Sequence, residues 1–203
     1  MGALRIIAGE LRGRRLKVPP AHVRPTAERV REALFAILGP RLRRARVLDL
    51  YSGSGALGIE ALSRGAAGVT FVESDRQALA TIRANLVDLG LASCSRVVPG
   101  RVLDVLARGG AGSGFDLVLA DPPYDGDEAG GLLASAGEGG LLAANGVLSL
   151  EISARAKLPP IPPPGLEAVR EARYGAARLV FYRSEVGDPE AESPPEVAFS
   201  RRS

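Results

Sequence analysis

Residues 46–73 most constrain how this chain can fold. Arg46-Val47-Leu48-Asp49-Leu50 is a short apolar, β-branched run that reads as a strand. It enters a glycine-rich turn, Ser52-Gly53-Ser54-Gly55, and then a helical stretch from Ala56 to Arg64 that Gly65 caps. Gly68 to Glu73 reads as the next strand. Strand, turn, helix and strand in so few residues form a parallel crossover unit, because parallel strands cannot be joined by a tight hairpin.

The pattern continues. A helix is expected over 76–89, a strand over 95–99, a helix over 103–108 and a strand over 115–120. A glycine-rich segment, 107–114, reads as flexible loop. Leu132 to Leu142 reads as a weak helix and Gly146 to Ile152 as a strand. After a connector with five prolines, 157–165, residues 166–172 and 177–183 read as a terminal antiparallel pair joined at Tyr174-Gly175. Ahead of the crossover unit, Leu4–Ala8 and Arg14–Val18 read as a small hairpin. Residues 19–25 read as loop, and 26–38 as a helix with Thr26 as its N-cap and Arg29, Arg31 and Glu32 on its outer face. Residues 186–203, rich in Pro, Glu and Ser, are expected to be disordered. The order implies a doubly wound α/β domain over 26–185 behind a basic hairpin and loop over 1–25.

Composition narrows the chemistry. A chain of 203 residues that is 46% hydrophobic can bury one sizeable core. A single cysteine, Cys94, excludes an internal disulfide, and a single histidine, His22, counts against a zinc site and against His-dependent nucleophilic schemes. No metal is expected. No apolar run reaches the roughly 18 residues of a membrane span, and the N-terminus lacks the apolar core of a signal peptide, so a cytoplasmic protein is expected. Net charge is +3, but residues 1–46 hold twelve Lys/Arg against three acids, a net +9 over a body of −6. A basic module on an acidic body suits a polyanion, nucleic acid foremost.

Two motifs carry chemistry. Gly53-x-Gly55-x-x-Gly58, with Glu73 twenty residues past Gly53, has the spacing of a dinucleotide fingerprint, so glycine spacing alone leaves NAD open. Asp49 counts against it, because a carboxylate at that strand end repels a diphosphate. It would attract the α-ammonium of S-adenosyl-L-methionine, with glycine-turn N–H groups taking the carboxylate and both Glu73 oxygens taking ribose hydroxyls. The second motif is Asp121-Pro122-Pro123-Tyr124, straight after strand 115–120. Prolines cannot continue a ladder, so the chain must turn stiffly there. Methylating an amine conjugated to a base needs its N–H hydrogens held and its lone pair aimed. Asp121 and the Pro122 carbonyl are two acceptors in fixed geometry, and Tyr124 is a stacking face.

Arg5-Ile6-Ile7-Ala8-Gly9-Glu10, Arg24-Pro25-Thr26 through Phe35, and Asp49 through Ala66, together with Asp121–Tyr124, resemble the RsmD family of bacterial 16S rRNA guanine-N2-methyltransferases. The resemblance runs from about Leu4 to Arg183. It implies a Rossmann-like S-adenosylmethionine-dependent methyltransferase sheet of seven strands, the last pair antiparallel. Asp121, Pro122, Pro123 and Tyr124 would form the catalytic loop. Asp49, Tyr51, Ser52, Gly53, Gly55, Glu73, Ser74 and Val102 would hold the cofactor. Arg5, Arg12, Arg14, Arg15, Lys17, Arg24 and Thr26 would contact 16S rRNA in the 30S subunit. One departure stands out. Arg101 occupies the place where such enzymes set an acid against the adenine amine, leaving Asp104 or the backbone around Val102 for that task. The Asp-Pro-Pro-Tyr turn alone is shared with DNA adenine-N6 and cytosine-N4 methyltransferases, which remain the alternative, although only about 45 residues lie outside the core for sequence-specific readout.

Overall fold

The structure, a computed structural model, describes residues 4–18, 25–123, 128–138, 140–159 and 161–185, and of residues 25–27 only the backbone. Its elements are β1 (Leu4–Arg5), β2 (Arg15–Leu16), α1 (Pro25–Leu38), β3 (Arg46–Leu50), α2 (Ala56–Ser63), β4 (Gly68–Glu73), α3 (Arg76–Asp88), β5 (Ser95–Pro99), α4 (Val102–Ala107), β6 (Phe115–Ala120), α5 (Glu128–Gly137), β7 (Leu142–Ser153), β8 (Leu166–Tyr174) and β9 (Ala177–Ser184). β1 and β2 pair by themselves. The other seven strands form one sheet in the order β5-β4-β3-β6-β7-β9-β8. β3 to β7 run parallel, and β9 pairs antiparallel with both β7 and β8.

Alternation within the strands divides the core into two layers. Val47, Phe71, Leu117 and Leu119 face α1, α2 and α3, whereas Leu48, Leu50, Val72 and Val118 face α4 and α5. Strands buried on both faces read as continuous apolar runs, which is why β3, β4 and β6 were legible in the sequence. Gly58 lets α2 lie close on this sheet. A Cβ there would meet the Phe71 ring at 2.3 Å.

Several expectations need correction. The N-terminal strands have two residues each, not five: Ile6 still bonds across to Arg14 and Gly13, but beyond it the amides of Ile7, Ala8 and Lys17 go to helix side chains. α1 begins at Pro25, so Thr26 lies inside its first turn and is not the N-cap; proline suits that first position, where its missing N–H costs nothing. α1 ends at Leu38, directly before Gly39-Pro40, and a 3₁₀ turn carries the chain on to Leu42. Arg31 is not on the outer face of α1: it is 4% exposed and donates from Nη2 to the Arg5 carbonyl at 2.6 Å. α5 starts at Glu128 and ends at Gly137, and β7 begins four residues early at Leu142, with a register shift opposite Phe115–Leu117. The glycine-rich loop before β6 is tied down, with Arg46 donating to the carbonyls of Ser113 and Gly114 and Arg96 to those of Gly110 and Ala111. The tail, 186–203, lies outside the described residues.

Candidate active site

The chain winds one way from β3 to β4 and β5, then crosses back to place β6 on the other side of β3. A crevice opens at the carboxyl ends of strands where winding reverses. Asp49 near the end of β3 and Asp121 just past β6 flank that reversal. Asp49 shares its face of the sheet with Val47, Phe71 and Leu119, and by alternation Glu73 on β4 and Glu151 on β7 project to that face too.

Asp49 is 1% exposed. One oxygen, Oδ2, accepts from the Gly58 amide at 2.9 Å, and the other, Oδ1, is buried without a partner. Burial pushes this carboxyl well above the usual range, and the nearby charges of Glu73 and Asp121 push the same way, against the Gly58 hydrogen bond. A buried acceptor without a donor costs about 1–3 kcal/mol, more for a charged group, so an incoming cationic N–H would be strongly favoured there.

The glycine turn is braced from beneath. Glu73 Oε2 accepts from the Gly53 amide at 2.7 Å, while Oε1 accepts from Ser74 at 2.7 Å and Asp75 at 2.9 Å. Buried Ser52 donates from Oγ to the Asp49 carbonyl at 2.6 Å and from its amide to the Val72 carbonyl at 3.2 Å, stitching the ends of β3 and β4 together. Gly55 is left-handed (φ 80°) at the start of α2, and its amide donates to the Ser52 carbonyl. These bonds revise the sequence reading. The amides of Gly53, Gly55 and Gly58 already have internal acceptors, which leaves Ala56 and Leu57 as the first-turn donors without an intrahelical partner. Glu73 keeps spare acceptor capacity chiefly on Oε2, so it fits one ribose hydroxyl better than two.

Tyr51 is bulky yet left-handed (φ 57°), a conformation that holds only where the surroundings enforce it. Its hydroxyl donates to Glu128 Oε2 at 2.6 Å, and burial together with Glu128 raises its pKa, so the phenol stays a neutral donor. Glu128 also pairs with Arg101 at 3.7 Å. Arg101 is thus not aimed inward as an acid's replacement. Its side chain is 74% exposed and balances Glu128 across the mouth of the crevice. Asp104 is exposed in the first turn of α4, and Val102 is buried at the start of that helix.

At the end of β6, Asp121 is exposed and Pro122 is buried, with exposed Pro123 following. The two prolines line a cavity of about 70 Å³ with Ala129, Gly130, Ile152 and Lys157. Tyr124 lies outside the described residues. Glu151 is a residue that sequence reasoning missed. It is the one acid in Leu148-Ser149-Leu150-Glu151-Ile152, and burial and the Asp121 charge raise its pKa to about 8. A lone carboxylate in an apolar strand that ends beside the crevice was the available signal.

The basic arm, 4–18, packs against the helices on this same side. Glu60, 0% exposed, accepts from the amides of Ile7 at 2.8 Å and Ala8 at 3.0 Å and from Arg64 Nε at 2.8 Å. Ser63 Oγ donates to Ala8 O at 2.6 Å and accepts from the Leu11 amide at 3.0 Å. Gly9 (φ 86°) lies so close that a Cβ would stand 1.8 Å from the Ser63 carbonyl oxygen. Asn85 completes the link. Its Oδ1 accepts from the Lys17 amide at 2.9 Å, and its Nδ2 donates to the carbonyls of Lys17 at 2.9 Å and Ser54 at 3.1 Å. One side chain therefore touches both the arm and the glycine turn. Arg5, Arg12, Arg14, Arg15 and Lys17 are exposed. Arg5 donates to the Gly13 carbonyl, Arg14 to that of Asp88, and Lys17 pairs with Asp88 at 2.6 Å. Arg24 and His22 lie outside the described residues, as does the Thr26 side chain.

Among the described residues, no group of His, Cys, Asp and Glu is arranged to hold a metal ion, and no helix is long and apolar enough to cross a membrane. The family described as conserved hypothetical protein 95 matches residues 4–183. The chain is 46% identical over 124 residues to the ribosomal RNA small subunit methyltransferase D of Escherichia coli K12, a match spanning 61% of each protein. It is 35% identical over 184 residues to the putative rRNA methyltransferase YlbH of Bacillus subtilis, covering 89% of this chain and 98% of that one. The solved structure of the putative methyltransferase yhhF from Escherichia coli superposes with a TM-score of 0.80 at 36% identity, covering 91% of this chain and 99% of that chain. With its seven-stranded methyltransferase fold and a match that runs almost the whole described length, the chain belongs to the conserved hypothetical protein 95 family, the RsmD family.

Proposed function

We propose that this protein transfers a methyl group from S-adenosyl-L-methionine to the exocyclic N2 amine of a guanine in 16S ribosomal RNA, with the 30S small subunit as partner and the cytoplasm as its location. The observation that carries the cofactor reading is Asp49 Oδ1, a buried carboxylate oxygen without a donor beside a glycine turn. A group bearing an ammonium, a carboxylate and a ribose fits the donors and acceptors present. Asp49 would hold the ammonium, the first-turn amides of α2 the carboxylate, and Glu73 Oε2 a ribose hydroxyl. The cofactor would supply an electrophilic methyl group on sulfonium sulfur.

The protein's own task is then to position a weak nucleophile. Asp121 and the Pro122 carbonyl would accept the two amine hydrogens, which localises the nitrogen lone pair and points it at the methyl group. Tyr124 would stack on the extruded base. The arm's exposed Arg12, Arg14 and Arg15 would track RNA phosphates, consistent with the named activities of the Escherichia coli and Bacillus subtilis relatives. The arm is one functional unit and the sheet domain the other.

The test is transfer of labelled methyl from S-adenosylmethionine to small-subunit RNA or particles lacking the mark, followed by nucleoside mass spectrometry. N2-methylguanine is expected; label in duplex DNA and none in ribosomal RNA would overturn the reading. Asp121→Ala is expected to lower kcat by about 10²–10³ and leave cofactor affinity within about twofold, as for loss of one oriented acceptor.

A further inference from the structure

Leu119 and Leu150 mark the register of three neighbouring strands. Leu119 pairs with Asp49 on one side and with Ser149 on the other, and Ala120 pairs with Leu150. One step further on each chain come Asp121, the first residue past β6, and Glu151, within β7, so the register sets them at one level. The side-chain environments differ. Asp121 is exposed, whereas Glu151 is half-buried within β7, opposite Leu179 of β9. Asp49, with an oxygen that lacks a donor, lies on the same face two residues back, at the level of Leu119 and Ser149.

We propose that Glu151 is a positioning residue of the amine site: its carboxyl and that of Asp121 form a pair that holds one proton between them, kept on Glu151, so that Asp121 alone carries negative charge toward the target amine. This rests on the methyl-transfer reading above. Two neighbouring carboxyls resist double ionisation, and the less solvated one takes the proton. Burial and the Asp121 charge both raise Glu151, in agreement with that assignment. Neutral Glu151 has an O–H to donate toward Asp121, which would fix the rotamer of the catalytic carboxylate.

The proton count closes. The amine lone pair forms the N–C bond while the electrons of the breaking C–S bond return to sulfur, leaving a thioether. The nitrogen sheds one hydrogen as a proton to Asp121, and the pair then holds two protons. It returns one to water once the methylated base leaves.

The charged groups around Glu151 are few. The end of β6 brings Asp121, Glu73 stands at the same level on β4, and Asp49 lies two residues back on β3. β9 brings Leu179 at this level, with Arg178 on the other face bound to Glu171 and the Ala156 carbonyl. Glu128 of α5, occupied by Tyr51 and Arg101, belongs to the other face, and on the face Glu151 shares, the buried charges of the covering helices are engaged, Arg31 with the Arg5 carbonyl and Glu60 with Arg64.

The experiment has two arms. Carbon-13 carboxyl titration of the free full-length protein should show Glu151 ionising near pH 8 in the wild type and at least one unit lower in Asp121→Asn. Pre-steady-state methyl transfer to small-subunit RNA should fall in the wild type above that pH. Glu151→Gln should lose this alkaline limb, so that its rate ratio between pH 9 and pH 7 exceeds the wild-type ratio about tenfold. Glu151→Ala should lower kcat about tenfold with KM for RNA within about twofold. Glu151 titrating in the ordinary carboxylate range, unmoved by Asp121→Asn, would overturn the pair, as would identical pH profiles for wild type and Glu151→Gln. The titration uses protein alone, so it decides the pair even if ribosomal RNA is not the substrate.

Discussion

The hairpins at the two ends of the described chain are held by opposite means. β8 and β9 are long, pair from Leu166–Ser184 to Tyr174–Ala177 with one register shift at Val169, and join the main sheet through β9. Of their cross-strand ion pairs, Arg183–Glu167 is exposed and Arg178–Glu171 joins a largely buried guanidinium to an exposed carboxylate. β1 and β2 share two residue pairs and join no other strand. Buried polar side chains on α2 and α3 hold that arm instead, taking its backbone amides one by one. The C-terminal hairpin is thus stabilised by a ladder that any β-rich sequence could form. The N-terminal arm depends on a few specific side chains, and two of those helices also shape the glycine turn. That arrangement suits an arm that must keep a fixed position relative to the candidate cofactor site.

The contrast can be broken first at Glu60. Glu60→Ala removes the acceptor for Ile7 and Ala8 and leaves Arg64 without its partner, so a loss of about 3–5 kcal/mol is expected. Chemical denaturation would measure it, and hydrogen exchange should show the 4–18 amides exposed while the β8–β9 amides keep their protection. Asn85→Ala is expected to cost about 2–3 kcal/mol, since it orphans buried groups on both Lys17 and Ser54. Unlike Glu60→Ala, it should also weaken S-adenosylhomocysteine binding by calorimetry, because it removes the brace beneath the glycine turn. Next comes Arg12→Glu with Arg15→Glu, whose exposed side chains take no part in the arm's network. Stability should change by less than about 0.5 kcal/mol, whereas the slope of log affinity for RNA against log salt should fall by about one to two. An unchanged slope would return the arm's charge to ordinary solvated surface. The smallest effect is expected at the other hairpin, where Glu167→Ala removes an exposed ion pair and should change stability by less than about 1 kcal/mol.

The candidate site was legible to very different degrees along the chain. Asp49, the Gly53/Gly55 turn, Glu73 and Asp121 were readable because each belongs to a short local pattern, an apolar strand followed by a turn. Glu151 was not, because its strand continues past it without a break, and only the register against β6 shows that it stands beside Asp121. Nothing in the sequence singled out Glu60 or Asn85, because their partners lie 53 and 68 residues away. The exposed face assigned to Arg31 failed for the same reason. Helical spacing cannot tell which side of α1 another segment of chain will cover, and here the Arg5 carbonyl covers it. Glu73 was found by spacing, but its use was incompletely read, since the amides of Gly53, Ser74 and Asp75 already occupy much of its carboxylate.

By itself the sequence determined the alternation of strand and helix, the glycine turn after the first long strand, the end of β6 before Asp121-Pro122-Pro123 and the basic first quarter. Each follows from apolar periodicity, from the conformational limits of glycine and proline, or from a simple count of charge. Only the tertiary structure decided the strand order, the row of acids at its carboxyl edge, and the attachment of the arm to α2 and α3. These depend on contacts between residues far apart in the chain, which local propensity does not encode. They also depend on burial, which turns similar carboxyls into a brace at Glu73, an open acceptor at Asp49 and a half-buried acid with a raised pKa at Glu151.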